Sequence, residues 1–498
     1  MLAAAPVLAP FLGGVLLLLP RSGALRRAVS LGVLALQAGL AGWLLTSAFT
    51  SGPVVAMLGG WREPAGIVLV ADKTAAILVA LAVLVGLAAT LSSLAERPAE
   101  QDPPARAPLV QFLLTGIQLS FLTGDLFNLF VAFEVMLLAS YSLLTLEAER
   151  GQVRGAYPYV ILNLVGSALF LAACGYAYAL FGSLNFAVMA QAAAALAQST
   201  DGALRVAVLA ALLAFVFSLK AGMFPLYYWL PNSYPLLPPS LGALYSGLLT
   251  KVGIYALLRL LGTVMPPTQG ELYTLIAWLG GGTMLFGVLG AISRGSVRQV
   301  LAFHVLSQVG FMILAIGFAT PLAYAATIFY VVHHIVVKSA LFVAAGGVLA
   351  HHGTDELSRT GGLWRARPLF GLAFLLLALS LAGLPPLSGF WAKLWILMEG
   401  LAGGWYTLVG VSLLASVLTL ASMLKIWLAA FWRPAPEGAP PPGRPGAGLW
   451  LALGGLLAVS LLVVVGVQPL WMAARSAAVE LSDPAGYVES VLRALEGP

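Results

Sequence analysis

The chain has 498 residues, 60% of them hydrophobic and only 9% charged, with a formal net charge of +6 at pH 7. A soluble globular domain carries about 25% charged residues, so this composition, with a mean hydropathy of +0.97, excludes one and describes a polytopic membrane protein. Nucleic-acid binding is excluded too, because the basic residues are scattered singly over short loops with no aromatic-basic surface beside them. Cys174 is the only cysteine and lies in an apolar segment, which leaves no disulfide, iron–sulfur cluster or thiolate zinc site within the chain.

Apolar runs near the ~20 residues that cross a bilayer recur from end to end. Fourteen spans fit, at 2–20, 28–48, 67–91, 107–123, 126–146, 156–181, 205–229, 239–262, 271–292, 298–318, 322–350, 369–399, 405–431 and 449–467. The fold class is therefore an all-α polytopic membrane protein with about 14 transmembrane helices, read as a single membrane domain over 1–498. The first run has no basic segment ahead of it and reads as a span rather than a cleaved signal. With this count the odd-numbered loops carry Arg21, Arg26, Arg27, Arg97, Arg106, Arg150, Arg154, Arg294, Arg298, Arg359, Arg365, Arg367, Arg433 and Arg444. The even-numbered loops and termini carry Arg62, Arg205, Arg259, Arg475 and Arg493. Because basic residues in short loops stay cytoplasmic, this asymmetry of 14 to 5 places the odd loops inside and both termini outside. Between spans six and seven, Asn185 caps an Ala-rich stretch that reads as a short helix on the outer surface. The stretch Pro434 to Gly448 reads as a cytoplasmic linker, and the tail 471–498 as an outer amphipathic segment broken at Pro484.

Span seven contains Lys220-Ala221-Gly222-Met223-Phe224-Pro225, a lysine beside a helix break inside an apolar segment. Glycine loosens the turn and proline removes a backbone donor, so the helix is expected to stop and restart here. This break has a partner. Ala221-Gly222-Met223-Phe224-Pro225-Leu226 recurs as Ala382-Gly383-Leu384-Pro385-Pro386-Leu387 at an offset of 161. Ser167 to Gly175 recurs as Ser339 to Gly347 at an offset of 172, and Phe133-Glu134 falls opposite Phe303-His304 at 170. Each unit spans five helices, and an odd number turns the second unit over. The expectation is two inverted five-helix repeats, 107–262 and 271–431, with spans seven and twelve both broken.

Few ionisable residues lie deep in the spans. They are Glu134, Lys220 and Lys251 in the first unit, and His304, His333, His334, Lys338 and Lys393 in the second, with Lys425 near a cytoplasmic end. An ionisable group inside a bilayer costs at least ~2.5 kcal/mol, so eight of them are not the mark of a mere scaffold. His334 and Lys338 are four apart and share a helix face. A Glu–Lys pair whose separation changes can load and release a proton, and histidine can relay it. Asp72-Lys73 and Asp125 read as helix caps at the water interface, and Arg259 and Glu271 as solvated residues flanking an outer loop. No P-loop lysine, HExxH motif or carboxylate cluster points to a nucleotide or a metal.

Taken together, Gly124-Asp125-Leu126-Phe127-Asn128-Leu129-Phe130-Val131-Ala132-Phe133-Glu134-Val135-Met136, His333-His334 with Lys338-Ser339, and Gly383-Leu384-Pro385-Pro386-Leu387-Ser388-Gly389-Phe390-Trp391-Ala392-Lys393 resemble the antiporter-like subunits of respiratory complex I and the Mrp cation/proton antiporters. The resemblance runs over nearly the whole chain. Phe133 before Glu134, and Val70-Ala71-Asp72 after Gly66-Ile67, are similar to the D-type member of the Mrp subunits. The resemblance implies a proton path in which Glu134 pairs with Lys220, Lys251 connects, His334 and Lys338 form a central relay, and Lys393 is the exit; His304 and His333 are added as relays by neighbourhood. It implies a hetero-oligomer with other membrane subunits in a bacterial inner membrane, exchanging H+ for a monovalent cation, Na+, with no cofactor in this chain and no enzymatic activity of its own. The alternative is a proton-pumping subunit of complex I or of a membrane-bound hydrogenase, and a third reading is a non-conducting scaffold in such a complex.

Overall fold

The structure, a computed structural model, describes residues 2–59, 66–147, 149–265, 270–435, 443 and 445–496; Arg62, Arg444 and most of the proline-rich linker lie outside these. Helices α1 (Ala5–Leu16) and α2 (Gly23–Thr50) precede an antiparallel hairpin of β1 (Val54–Leu58) and β2 (Ile67–Ala71). There follow α3 (Lys73–Ser93), α4 (Arg106–Leu122), α5 (Leu126–Leu144), α6 (Arg150–Phe181), the short α7 (Phe186–Leu196) and α8 (Thr200–Ala221). After the short α9 (Trp229–Ser233), α10 (Pro239–Leu244) and α11 (Thr250–Arg259) form one continuous stretch, Pro239–Val264, interrupted by π-helical turns. The second half comprises α12 (Gly270–Ser293), α13 (Val297–Gly317), α14 (Pro321–His352), α15 (Leu363–Ala366), α16 (Pro368–Ala382), α17 (Ser388–Ala402), α18 (Tyr406–Ile426) and α19 (Ala447–Val465). Two tail helices, α20 (Val467–Ser482) and α21 (Ala485–Glu496), close the chain, parted at Asp483-Pro484.

Each of the fourteen predicted spans coincides with helix. Among the described residues eleven helices are long and apolar enough to cross a membrane, and α1, α4 and the α16–α17 pair account for the other three. The third span is shorter than its hydropathy suggests. Residues 67–71 are strand β2, and α3 starts at Lys73 with the Asp72 carboxylate accepting from Ala75 N at 2.8 Å. A β-branched apolar run cannot be told from a helix start by hydropathy alone. Asn185 caps α7 as expected, its Oδ1 accepting from Ala187 N at 2.9 Å.

Both helix breaks have the same backbone. α8 and α16 end on glycines in the left-handed region, Gly222 at φ 77° and Gly383 at φ 92°, and in each the next amide reaches back five residues: Met223 N to Ser218 O at 2.9 Å, Leu384 N to Leu379 O at 3.1 Å. This is a helix C-cap for which glycine carries no steric penalty. Carbonyls freed at the breaks are covered by side chains, Leu219 O by the Trp229 indole at 3.2 Å and Ala382 O by the Lys393 ammonium at 2.9 Å. The chain restarts differently after them, as the five-residue α9 in the first case and the fifteen-residue α17 in the second.

A second repeated feature was not visible in the sequence. Leu126 N donates to Leu184 O (2.8 Å) and Phe186 N to Gly124 O (2.9 Å); Val297 N donates to Asp355 O (2.9 Å) and Leu357 N to Gly295 O (2.8 Å). Every one of these residues is matched at an offset of 171, inside the 170–172 range of the sequence repeats. Two of the three isolated bridges among the described residues, Asp125 with Asn185 and Ser296 with Glu356, tie the start of the second helix of each unit to the segment after the third.

In the second unit this tie is reinforced by charge. Asp355 Oδ2 accepts from Arg298 Nε at 2.9 Å, Arg298 N at 3.1 Å and Ser296 Oγ at 2.8 Å. Burial pushes the Asp355 carboxyl up, but these hydrogen bonds and the Arg298 charge win and hold it below the usual carboxylate range. A carboxylate so depressed adds stability above its unfolded value of ~3.9 and loses it as the pH falls through the folded value. Asp355→Asn is therefore expected to lower the unfolding free energy at neutral pH by about 1–3 kcal/mol, with the gap to wild type closing below about pH 4, as read by thermal unfolding in detergent.

The interior is centred on three helices. Pro239–Val264, α13 and α14 are each buried along the whole of their most apolar stretch, whereas α2 is 28% buried over the corresponding length and α6, α18 and α19 are 39% buried. Apolar residues on the outer helices such as Leu138, Leu164 and Val417 face outward, as lipid-facing side chains do.

Candidate functional site

The ionisable residues singled out in the sequence gather on the interior. Lys220, Lys251, His304, His333, His334, Lys338 and Lys393 are all buried, none more than 4% exposed, and Glu134 is half-buried. Five of the seven sit on the three wholly buried helices: Lys251 on α11, His304 on α13, and His333, His334 and Lys338 on α14.

At the first break, the last turn of α8 holds Lys220. Its Nζ donates to Asn163 O at 3.0 Å and Ser167 Oγ at 2.9 Å, both on α6, and lies 5.8 Å from the centre of the Phe133 ring. Glu134, on α5, is near enough for its charge to act on Lys220. Among the described residues, however, no ion pair joins the two, and Glu134 Oε1 is buried without a protein partner. The expected Glu134–Lys220 contact is thus replaced by a lysine held from α6 with the carboxylate close by.

α11 packs directly against this break, since a Cβ on Gly253 would lie 2.6 Å from Ala221 N. Two residues before that glycine, Lys251 Nζ donates to Ser246 O at 2.5 Å and Thr250 Oγ1 at 3.1 Å. Ser246 lies in the π-helical turn Tyr245–Leu249, a deviation that frequently marks functional sites and has no sequence signature here.

From Lys251 the charges are in mutual range through Lys338 and His334 to His304, and from His333 and His304 to Lys393. Among the described residues, the Lys338 ammonium and both ring nitrogens of His334 have no hydrogen-bond partner. Lys338 Nζ lies 5.9 Å from the Phe342 ring, and Lys393 Nζ 4.7 Å from the Phe311 ring. His333 Nδ1 meets Ser388 Oγ at 2.8 Å, and Ser388 opens α17 just past the second break. His304 Nε2 meets Ser422 Oγ on α18 at 2.6 Å. Both histidines keep their second nitrogen unpartnered among the described residues. Lys425 caps the end of α12 through Ile292 O and Arg294 O, with its charge still in range of His304.

Several polar residues of this region were missed in the sequence. Tyr330 donates to Gln308 at 2.6 Å, bridging α14 and α13. A helical-spacing search could have found them, because Tyr330 is three residues before His333 and Gln308 four after His304. Nothing local points to Ser388 or Ser422. Arg259 departs from its expected place: it is not solvated but buried, ion-paired to Asp72 Oδ2, with its guanidinium 4.9 Å from the Tyr487 ring of α21. The tail folds over it, and a buried arginine is tolerated because it is paired.

Residues 123–419 match the family described as NADH:quinone oxidoreductase/Mrp antiporter, TM. Two relatives are D-type subunits of Na(+)/H(+) antiporters. That of Alkalihalophilus pseudofirmus is 39% identical over 493 residues, 98% of each chain, and that of Bacillus subtilis is 37% identical over 489 residues, again 98% of each. The chain belongs to the family of Na(+)/H(+) antiporter D-type subunits. The family fold extends to solved structures. A chain of the Mrp complex from Dietzia sp. DQ12-45-1b matches with a TM-score of 0.90 and 31% identity over 99% of this chain and 100% of that one. A chain of respiratory complex I from Thermus thermophilus matches with a TM-score of 0.82 and 25% identity, covering 97% of this chain and 100% of that one.

Proposed function

We propose that this chain is the proton-translocating subunit of a multisubunit Na+/H+ antiporter and is not an enzyme. The observation that carries the reading is the row from Lys251 through Lys338 and His334 to Lys393: the first three lie on wholly buried helices, and Lys393 lies buried on α17 just past the second break. Each buried polar atom without a partner costs ~1–3 kcal/mol. Such groups persist inside a membrane protein where they line a hydrated path. In this reading a proton held near Glu134 and Lys220 reaches Lys251, then Lys338 and His334, and leaves by Lys393, with His304 and His333 as relays anchored to α18 and α17. Carbonyls that accept from side chains at the breaks, Leu219 O and Ala382 O, give each end of the row a polar, adjustable backbone.

The segments 107–262 and 271–431 are proposed as inverted units: five crossings separate the equivalent hydrogen-bond ties at 124–126 and 295–297, which puts them on opposite faces. The arginine distribution supports odd-numbered loops inside, with both termini and the 471–498 tail outside. The proposed setting is a bacterial inner membrane, with further membrane subunits beside this one and Na+ as the exchanged cation, as the names of the relatives suggest.

In everted vesicles carrying the normally assembled complex, Glu134→Ala and Lys220→Ala are each expected to slow Na+/H+ exchange by about tenfold, equivalent to ~1.4 kcal/mol on the limiting barrier. Wild-type exchange in both would remove the role given to these residues. A redox-driven pump of the complex I type is the second reading, favoured by the match to the Thermus thermophilus chain. Proton uptake that requires an electron donor and ignores Na+ would select it.

A further inference from the structure

One buried polar cluster lies off the row just described. Lys251, Tyr255 and Arg259 occupy positions four apart on α11 and therefore one helix face, leading from the centre toward the end that carries the β-hairpin and the tail helices. Tyr255 OH donates to Phe121 O at 2.7 Å and accepts from Arg259 at 3.0 Å. Asp72 pairs with Arg259. Next to Asp72, Lys73 N donates to Glu480 Oε2 at 3.3 Å and Lys73 Nζ to Ser476 Oγ at 2.8 Å, both acceptors on α20. Glu480 is half-buried at the surface, and burial together with the Asp72 charge holds its carboxyl above the usual range, opposed by Lys73 and Arg259.

Beside Lys251 and Tyr255 lies a cavity of about 10 Å³, room for about one water, lined also by Thr74, Leu78, Ile328 and Val331 among others. Thr74, one of the lining residues, is 1% exposed, and its hydroxyl has no hydrogen-bond partner among the described residues. An apolar plug would need neither that hydroxyl nor the lysine opposite.

We propose that Lys251 has its own proton port to the face bearing the hairpin and tail, running through the cavity at Thr74 to Asp72 and out at Glu480. The inference rests on the chain moving protons, but adds an exit that the row to Lys393 does not contain. The Lys251 ammonium gives its proton to the cavity and becomes an amine. Asp72 takes the proton, becomes a neutral acid and releases its ion pair with Arg259. Arg259 stays protonated throughout and is held by the Tyr255 and Tyr487 rings. Asp72 then passes the proton to Glu480, which delivers it to water, and the Asp72–Arg259 pair closes again. The pair is thus the gate, shut whenever Asp72 is ionised.

Two measurements test this. In a Cys174→Ala background, Thr74→Cys is expected to react with Ag+, a thiol probe close to one water in size, from one side of the membrane only, the side that also labels Glu480→Cys, while Val79→Cys, on the next turn of α3, stays unreactive. No reaction at Thr74→Cys from either side overturns the port, whatever transport does. The double variant Thr74→Val, Glu480→Gln, which spares the ion pair, is expected to slow exchange several-fold in assembled complexes. A wild-type rate in that variant, with exchange still lost in Lys338→Met, overturns the port and leaves the central path standing.

Discussion

Replacing Lys338 by methionine is expected to lower Na+/H+ exchange by the assembled complex at least about tenfold while leaving the chain as stable as wild type or more so. Lys338 sits in the middle of the wholly buried α14, with Lys251 and His334 in electrostatic range and, among the described residues, no hydrogen-bond partner for its ammonium. The ammonium lies over the Phe342 ring one turn away. Methionine keeps an unbranched stem and fills similar space. A fixed structural cation is expected to have a carboxylate, and losing one partner of a buried pair costs ~3–5 kcal/mol. Among the described residues Lys338 has no such partner, so its removal eliminates a buried charge without orphaning another. Exchange in everted vesicles and thermal unfolding of the purified complex read the two halves separately. Lost stability with retained exchange would make Lys338 a packing element and undo its role as relay.

Gly383→Val at the second break is expected to damage both stability and transport, and Gly383→Asn only transport. At φ 92° a side chain pays ~1–2 kcal/mol, and a β-branched one more, whereas asparagine enters the left-handed region readily. Any Cβ at this position would also lie 2.8 Å from Lys393 Cδ. The lysine stem must then move, and its ammonium leaves Ala382 O, which it meets at 2.9 Å. The Asn variant therefore restores the backbone but not the lysine. Equal exchange in Gly383→Asn and wild type would mean that the position of Lys393 at the break does not matter to transport.

The parts that could be read in advance share one property, short range in sequence. Span positions follow from local hydropathy, and both breaks from a glycine and a proline within a few residues. The hairpin escaped because Ile67 to Ala71 is as apolar as a helix start, and its pairing partner lies across residues 60–65. The repeat was legible at 170–172 and 161 in side chains, yet its most regular expression, the pair of backbone ties at 171, involves Leu184 opposite Asp355 and Gly124 opposite Gly295, where mostly different residues make the same main-chain bonds.

The site divides in the same way. Which residues are costly inside a membrane was decided by the sequence, because a lysine or histidine in an apolar run is conspicuous by composition alone. What each one touches was decided by packing. Lys220 is held by Asn163 and Ser167, 57 and 53 residues away, with Glu134 nearby but not bonded. His333 and His304 depend on serines 55 and 118 residues away. Arg259, which resembles a solvated loop residue by its place at a helix end, is buried by an aspartate 187 positions earlier and by a tail that folds back over it. Hydropathy and helix-breaking chemistry act over a few residues and are written along the chain. The partner of a buried charge is set by which helices lie side by side, and that exists only once the fold has formed.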